Sequence, residues 1–357
     1  MEKKEINYQF KFLYAIGMIL IVAGHCKNGG ISLAYEWFTP YAFHLGLFAF
    51  ASGYFYKDSS EDNLKAYIWK KTKRLLIPMY LFHWLYAIIG QLLSLKGFTI
   101  GGEVNLYTLL IAPLIDGHQF GFTMGLWFVV PLWMIEVGNA IFRKLIKKKI
   151  KQPNEYLLCI FYFLLGLLGV FLGYRGYREG ALLAIVRMLY LLPFYGLEIL
   201  YQRKLEKRDN ISNIWYFSVI FIAQLTIITI YGKTIRFTPS CCNDFTENIV
   251  LPYIVGILGI GFWLRIAKIL EPIIKNSKCI NVIADHTYPI MVHQFLGFFI
   301  VNTSFAICSK LLPICQDFNW LEFKNNIFYF YLPKGIHQWY IVYLVAGIIV
   351  PIIISWI

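Results

Sequence analysis

Long apolar runs recur along the whole of this chain, and they leave few ways for it to fold. A run of about 20 mainly apolar residues is what a helix needs to cross the hydrocarbon of a bilayer. Ten are read here, near residues 12–26, 37–56, 75–95, 122–142, 156–174, 181–201, 214–231, 249–264, 288–308 and 338–357. Backbone N–H and C=O groups find no water in hydrocarbon, so each run closes its own hydrogen bonds as a helix. Proline interrupts several runs, at Pro131, Pro193, Pro252, Pro289 and Pro351, which a bundle interior tolerates. The expected fold is an all-α polytopic membrane protein of about ten transmembrane helices. Residues 1–357 form one membrane domain without a soluble catalytic appendage.

Composition agrees. Hydrophobic residues make up 58% of the chain and charged residues 15%, where soluble domains are about 45–50% apolar. Too little polar surface exists to clothe a body in water. The net charge of +13 does not mark a nucleic-acid binder, because the basic residues fall in alternate loops rather than in one patch. With the amino terminus inside, 23 of the 33 Lys and Arg lie in inner segments, nine lie outside and Arg187 lies within a span. That asymmetry follows the positive-inside rule and puts both termini in the cytoplasm. The first span lacks a small-residue cleavage pattern and is expected to stay as a signal anchor. No internal repeat is visible, unlike transporters built from inverted halves.

Polar groups stand out against this background. His25 closes the first span and His44 opens the second, at the same outer end and joined by a short loop. Ionisable groups within spans are functional candidates by default, and an imidazole takes and returns a proton near neutral pH. The pair reads as an acid/base site at a membrane face; each ring alone also fits an interfacial anchor. Glu136 and Arg187 lie within spans and are expected to face the interior, paired or lining a path. His83 and His293 are placed along a central cavity. The run Lys70, Lys71, Lys73, Arg74 before Leu75 is either a topological anchor or a phosphate-binding cluster, for which Arg is well shaped. The second basic cluster, Arg143–Lys151, reads as topological. The seven cysteines and seven histidines show no metal-ligand spacing. Cys159 and Cys279 read as packing residues, while Cys241, Cys242, Cys308 and Cys315 fall in or near outer segments and are expected as free thiols. A Gly-rich phosphate loop and a Ser-x-Gly nucleophile motif are both absent from the sequence.

Three strings together carry a resemblance: YAIGMILIVAGH ending on His25, FHLGLFAFASGYFYK from Phe43, and KKTKRLLIP from Lys70. They look like the opening of the membrane-bound acyltransferase family 3. LWFVVPLW at Leu126–Trp133 is similar to the family's internal Trp-Phe segment, and HTYPIMVHQF at His286–Phe295 to its late segment, with His293 at the matching position. VRMLYLLPFYGLEIL at Val186–Leu200 resembles the fucose 4-O-acetylase-like glycan branch. The resemblance implies an integral membrane O-acyltransferase, in the first instance an O-acetyltransferase, in a bacterial inner or cytoplasmic membrane. It would carry an acyl group from cytoplasmic acyl-CoA, acetyl-CoA above all, to a hydroxyl of a cell-envelope or exported glycan. No cofactor is held permanently; acyl-CoA is a substrate, and the other partners are the glycan and membrane lipids.

On that resemblance His25 is the essential histidine, the base that takes the acceptor hydroxyl's proton, and His44 orients it or holds the acyl carbonyl. Arg74, with Lys71 or Lys73, holds the phosphates of the donor. Trp127, Phe128, Glu136, Arg187 and His293 are candidates for an acyl path, and packing is the alternative for the aromatic pair. Asp116-Gly117-His118 in an outer loop reads as an acceptor-sugar contact or as a solvated turn. One departure stands out: the family usually carries a basic residue eleven positions before the histidine, and here that place is Tyr14, with Lys11 on the same helical face. The rival reading is an exporter of a polysaccharide or its lipid-linked precursor. The topology itself is directly testable. A membrane-impermeant thiol reagent should reach engineered cysteines near Lys233 and Lys324 from outside and miss those near Lys65 and Lys148. Labelling near Lys148 from outside would overturn the ten-span arrangement.

Overall fold

A computed structural model describes residues 7–26, 36–245, 248–311 and 313–356; Lys3, Lys4 and Lys27, counted above for topology, lie outside them. Every regular element among the described residues is helical. The first helix, α1 (Tyr8–His25), begins where the Asn7 side chain accepts from the Phe10 N–H, a side-chain cap for one of the orphan donors at a helix start. It is apolar nearly all round and mostly buried, which places it at the centre of a bundle rather than against lipid.

The second helix, α2 (Pro40–Gly53), opens with proline in its first turn, where a missing N–H costs nothing. Its 14 residues span only about 21 Å at 1.5 Å per residue. Even so, α2 returns the chain to the end where α1 began. Tyr41 Oη donates to the Gly24 carbonyl at 3.1 Å, and at the opposite end Asn7 Nδ2 donates to Tyr54 Oη at 2.8 Å. The helix can be this short because all of it except Tyr41 is buried in protein. Among the described residues, nine other helical stretches are long and apolar enough to cross a membrane, and α2 falls short of that length.

From there the chain lays a polar helix, α3 (Leu64–Arg74), along the end of the bundle that holds Asn7, and dives through α4 (Leu76–Ser94). We call that end the basic end and the opposite one the far end. After α5 (Ala112–Ile115) the sequence expectation of a span from 122 is corrected. Two tight turns, Gly121–Thr123 and Leu126–Phe128, precede the helix proper, α6 (Val129–Lys147). Phe122, Thr123, Leu126, Trp127 and Phe128 are buried in these turns, so the irregular backbone is shielded by protein, the one place a bilayer permits it.

The remaining helices are α7 (Glu155–Tyr174), α8 (Ala181–Leu200), α9 (Asn213–Tyr231), α10 (Leu251–Ile274), α11 (Lys278–Asp285), α12 (Thr287–Cys308), α13 (Trp320–Asn325) and α14 (Tyr340–Ile354). The most deeply buried are α1, α2 and α8, whereas α9 fully buries only Ile220, Gln224 and Ile227. Cys279, read as a packing residue, is exposed at the start of α11.

The basic end is stitched by ion pairs. Arg143 grips Glu155 with both guanidinium nitrogens at 3.0 and 2.8 Å, and Arg203 reaches Glu155 at 2.6 Å and Asp58 at 2.7 Å. Lys147 adds Glu61 at 2.9 Å. Thus Arg143 and Lys147, read as topological, also tie the α2–α3 loop to α6 and α7. Partial burial pushes the Asp58 carboxyl up, but Arg203 and Lys147 outweigh it and hold the group below its ordinary range.

The α7–α8 seam has no slack. A Cβ on Gly196 would stand 2.1 Å from Tyr162 Cδ2, and one on Gly166 would stand 2.2 Å from Pro193 Cγ. Small residues are what allow membrane helices to approach this closely. Gly196→Ala is therefore expected to lose about 1–3 kcal/mol of stability from overpacking. Thermal unfolding in detergent reads it, and a melting temperature equal to that of the wild type would show that Tyr162 swings aside freely.

Candidate active site

At the far end three imidazoles share one arrangement. His25 Nδ1 meets Gln294 Oε1 at 2.9 Å, and Gln294 Nε2 donates to the Met291 carbonyl at 3.1 Å. A carbonyl can only accept, so the amide is oriented with its oxygen toward His25, and His25 Nδ1 carries the proton. His44 Nδ1 sits on the carbonyl of Pro40, one turn earlier in α2, and His118 Nδ1 is 2.9 Å from Asp116 Oδ1. Each partner accepts, so in the neutral state each ring presents a lone pair at Nε2, with no hydrogen-bond partner for it among the described residues.

The rings are neighbours. Tyr41 bonds the carbonyl of Gly24, next to His25, and lies edge-on to the His44 ring at 5.2 Å between centroids. His118 is near enough to His25 for their charges to interact. Among the described residues, no group of three His, Cys, Asp or Glu side chains is placed to hold a metal ion.

The segment Gly125–Trp127 joins the two sides of this cluster. A Cβ on Gly125 would lie 2.8 Å from the Met291 carbonyl oxygen and 3.1 Å from Gln294 Nε2. On the other flank Gly117, at φ +77°, would put a Cβ 2.6 Å from Trp127 Cα. Glycine is needed at 117 for its left-handed backbone and for that approach. Arg187 pins the same loop. Its guanidinium donates to the carbonyls of Ile115, Asp116 and Ser240, stands 3.6 Å from the Asp116 carboxylate and lies over the Trp127 ring at 4.7 Å. A stacked cation with this many acceptors is held fast. The hydrogen bond from His118, with help from Arg187, holds the Asp116 carboxyl below its ordinary range despite partial burial.

On the other side of this cluster a cavity of about 790 Å³ runs inward from the basic end. Lys57, Lys70 and Arg74 stand at its rim, and among the described residues none of the three makes an ion pair. Lys71 also lines it but is bound to Glu136 at 2.5 Å, and Lys11 to Asp285 at 2.9 Å. Further in, the walls are Tyr14, Phe48 and Tyr195, and Phe128 and Met291 close the inner end. The Met291 carbonyl is the acceptor that orients Gln294. One residue's thickness thus separates the cavity from the His25 assembly.

The candidates read from sequence divide between these places. His25 and His44 lie in the far-end cluster. Arg74, Lys71, Phe128 and Glu136 line the cavity, whereas Lys73 is exposed outside it and Lys70 takes a place on the rim. Glu136 and Arg187 do not meet: the first serves Lys71 and the second Asp116. Trp127 lies under Arg187 rather than in the cavity wall. His293 turns from His25 into the α4–α12 contact, where its Nδ1 is 2.6 Å from Tyr86 Oη and Phe82 stacks edge-on at 4.8 Å. His83 bonds the Thr108 carbonyl at 2.9 Å beside Phe120. Gln294 was missed; a polar amide in an apolar span, adjacent to the histidine that drew attention, was the available signal. Tyr14, noted above as a departure from the family pattern, lines the cavity, while Tyr195 was hidden among many aromatic residues.

Compared with known proteins, residues 7–357 match a family model described as an acyltransferase domain. No curated protein and no solved structure matches the chain.

The Asp116 geometry sets a pH dependence. A carboxyl whose folded pKa is depressed contributes stability above its unfolded pKa and loses it as pH falls through the folded value. The wild type should therefore melt above Asp116→Asn at pH 7, and the gap should close as pH drops below about 4. A gap independent of pH would show that the loop does not rely on this carboxylate.

Proposed function

The chain belongs to acyltransferase family 3, and on that footing we propose that it is a multi-pass membrane O-acyltransferase. It moves an acyl group, in the first instance acetyl, from acyl-CoA at the cytoplasmic side to a hydroxyl of an exported or cell-envelope glycan. The observation that carries this reading is the cavity that begins at Lys57, Lys70 and Arg74 and ends at Phe128 and Met291, beside the holder of His25. Unpaired cations at the rim suit the phosphates of the donor, and an aromatic shaft suits its uncharged arm. With the rim facing the cytoplasm, the thioester lies toward the middle of the bundle and the acceptor arrives from the far end.

A sugar hydroxyl is a poor nucleophile until a base takes its proton. His25 Nε2, its tautomer fixed by Gln294, accepts that proton as the hydroxyl oxygen attacks the acyl carbonyl. The carbon–sulfur bond breaks and the thiolate leaves on the cavity side. The likeness of Val186–Leu200 to the fucose 4-O-acetylase-like branch makes a deoxyhexose the first acceptor to offer.

The test is the full chain in detergent with labelled acetyl-CoA and fucoside-bearing glycans. His25→Gln should lose about 10²–10⁴-fold in rate at normal abundance, the worth of a positioned base. Arg74→Ala should instead raise KM for acetyl-CoA about tenfold with kcat nearly kept, as loss of a charged contact used in binding does. A folded His25→Gln enzyme with full activity would remove His25 as the base. Wild-type donor dependence in Arg74→Ala would leave the cluster as an anchor. Glycan export without acylation by the wild type would point to the exporter.

A further inference from the structure

Among the described residues, the three imidazoles of the far end present acceptors. His25, His44 and His118 each commit Nδ1 to a neighbour, which leaves three Nε2 lone pairs. Gln119 donates its amide nitrogen to Asp116 Oδ2 at 3.3 Å, while its oxygen is buried and has no hydrogen-bond partner among the described residues. Arg187, which lies over Trp127, spends its donors on three carbonyls and faces Asp116. As neutral rings, the three imidazoles give a carboxylate or phosphate no donor at Nε2. A molecule bearing several neutral O–H donors would satisfy them, and a buried acceptor left unpaired is costly.

We infer that Asp116, His118 and Gln119 form an acceptor subsite for a polyhydroxyl ligand, in which His118 Nε2 accepts from a second hydroxyl of the sugar whose reacting hydroxyl lies on His25. This rests on the acyltransferase reading above and adds a site to it. The geometry that joins the two is the segment 125–127, pressed against Gln294 on one flank and against Gly117 on the other. The His25 and His118 rings are thereby held at a fixed spacing. Asp116 keeps the His118 tautomer, Arg187 keeps Asp116, and the His118 side chain remains 16% exposed, open to a ligand. His118 binds and positions the acceptor; it does not take the reacting proton.

The experiment uses the full chain in detergent and methyl α-fucoside with its monodeoxy analogues, read by saturation-transfer NMR so that turnover is not needed. His118→Phe should weaken binding of the parent fucoside about tenfold, the worth of one hydrogen bond at this scale. One monodeoxy analogue should bind the wild type weaker by the same factor and bind His118→Phe no worse than the parent does. His118→Gln, which keeps an acceptor, should recover part of the loss, and KM for acetyl-CoA should stay at the wild-type value in both variants. Equal binding of the parent to wild type and His118→Phe, equal deoxy penalties in both, or no binding to the wild type would each overturn the subsite. Binding with the expected pattern but no acetyl transfer would overturn the enzymatic reading alone.

Discussion

Water is absent from the middle of this protein's surroundings, and each polar group carried there has to find its partner within the chain. An unsatisfied polar atom in hydrocarbon costs several kcal/mol, so partners decide where the elements sit. Gln9 of α1 gives its amide hydrogen to the Leu264 carbonyl of α10 at 3.2 Å. Arg265 meets Asp209 at 2.5 Å and covers the Tyr216 ring. Tyr343 of α14 donates to Asn302 of α12 at 2.6 Å. These polar contacts give direction to helix packing that hydrophobicity alone, equal in protein and lipid, does not supply. The His25–Gln294 bond belongs to the same class, and the Met291 carbonyl that orients its amide belongs to a residue lining the cavity.

A cavity and a cluster of imidazoles face each other from opposite ends of the bundle. The cavity is lined by cations at its rim and aromatic rings within, the cluster by His25, His44 and His118. Between them stands the irregular stretch Gly125–Phe128, whose glycine permits contact with Met291 and Gln294. A continuous helix there would have placed side chains where the backbone now lies. The break ahead of α6 is thus a condition for the cavity to reach the holder of His25.

Hydropathy made the architecture legible, because a 20-residue apolar run has few structural options. It misjudged ends wherever tertiary packing replaced lipid, as in the trimmed α2 and the turns before α6. Single candidates were legible when chemistry and position coincided: His25 is polar, titratable and at a span end. Contacts were not. Lys70 and Lys73 look alike in sequence, yet a helical rotation puts one on the cavity rim and the other in solvent. The same rotation, about 100° per residue, separates Gln294 from His293. Glu136 and Arg187 were visible as buried charges, but their partners are dozens of residues distant, and no local pattern announces Lys71 for one or Asp116 for the other.

The brevity of α2 has a consequence for permeability. A typical helix must match about 30 Å of hydrocarbon, whereas the passage from Tyr41 to Tyr54 is done in about 21 Å. Around that helix the insulating layer is protein rather than lipid. Phe48, in the cavity wall, and His44, in the far-end cluster, stand one turn apart on α2, so the seal against leakage between the two ends falls to the few side chains packed about that turn.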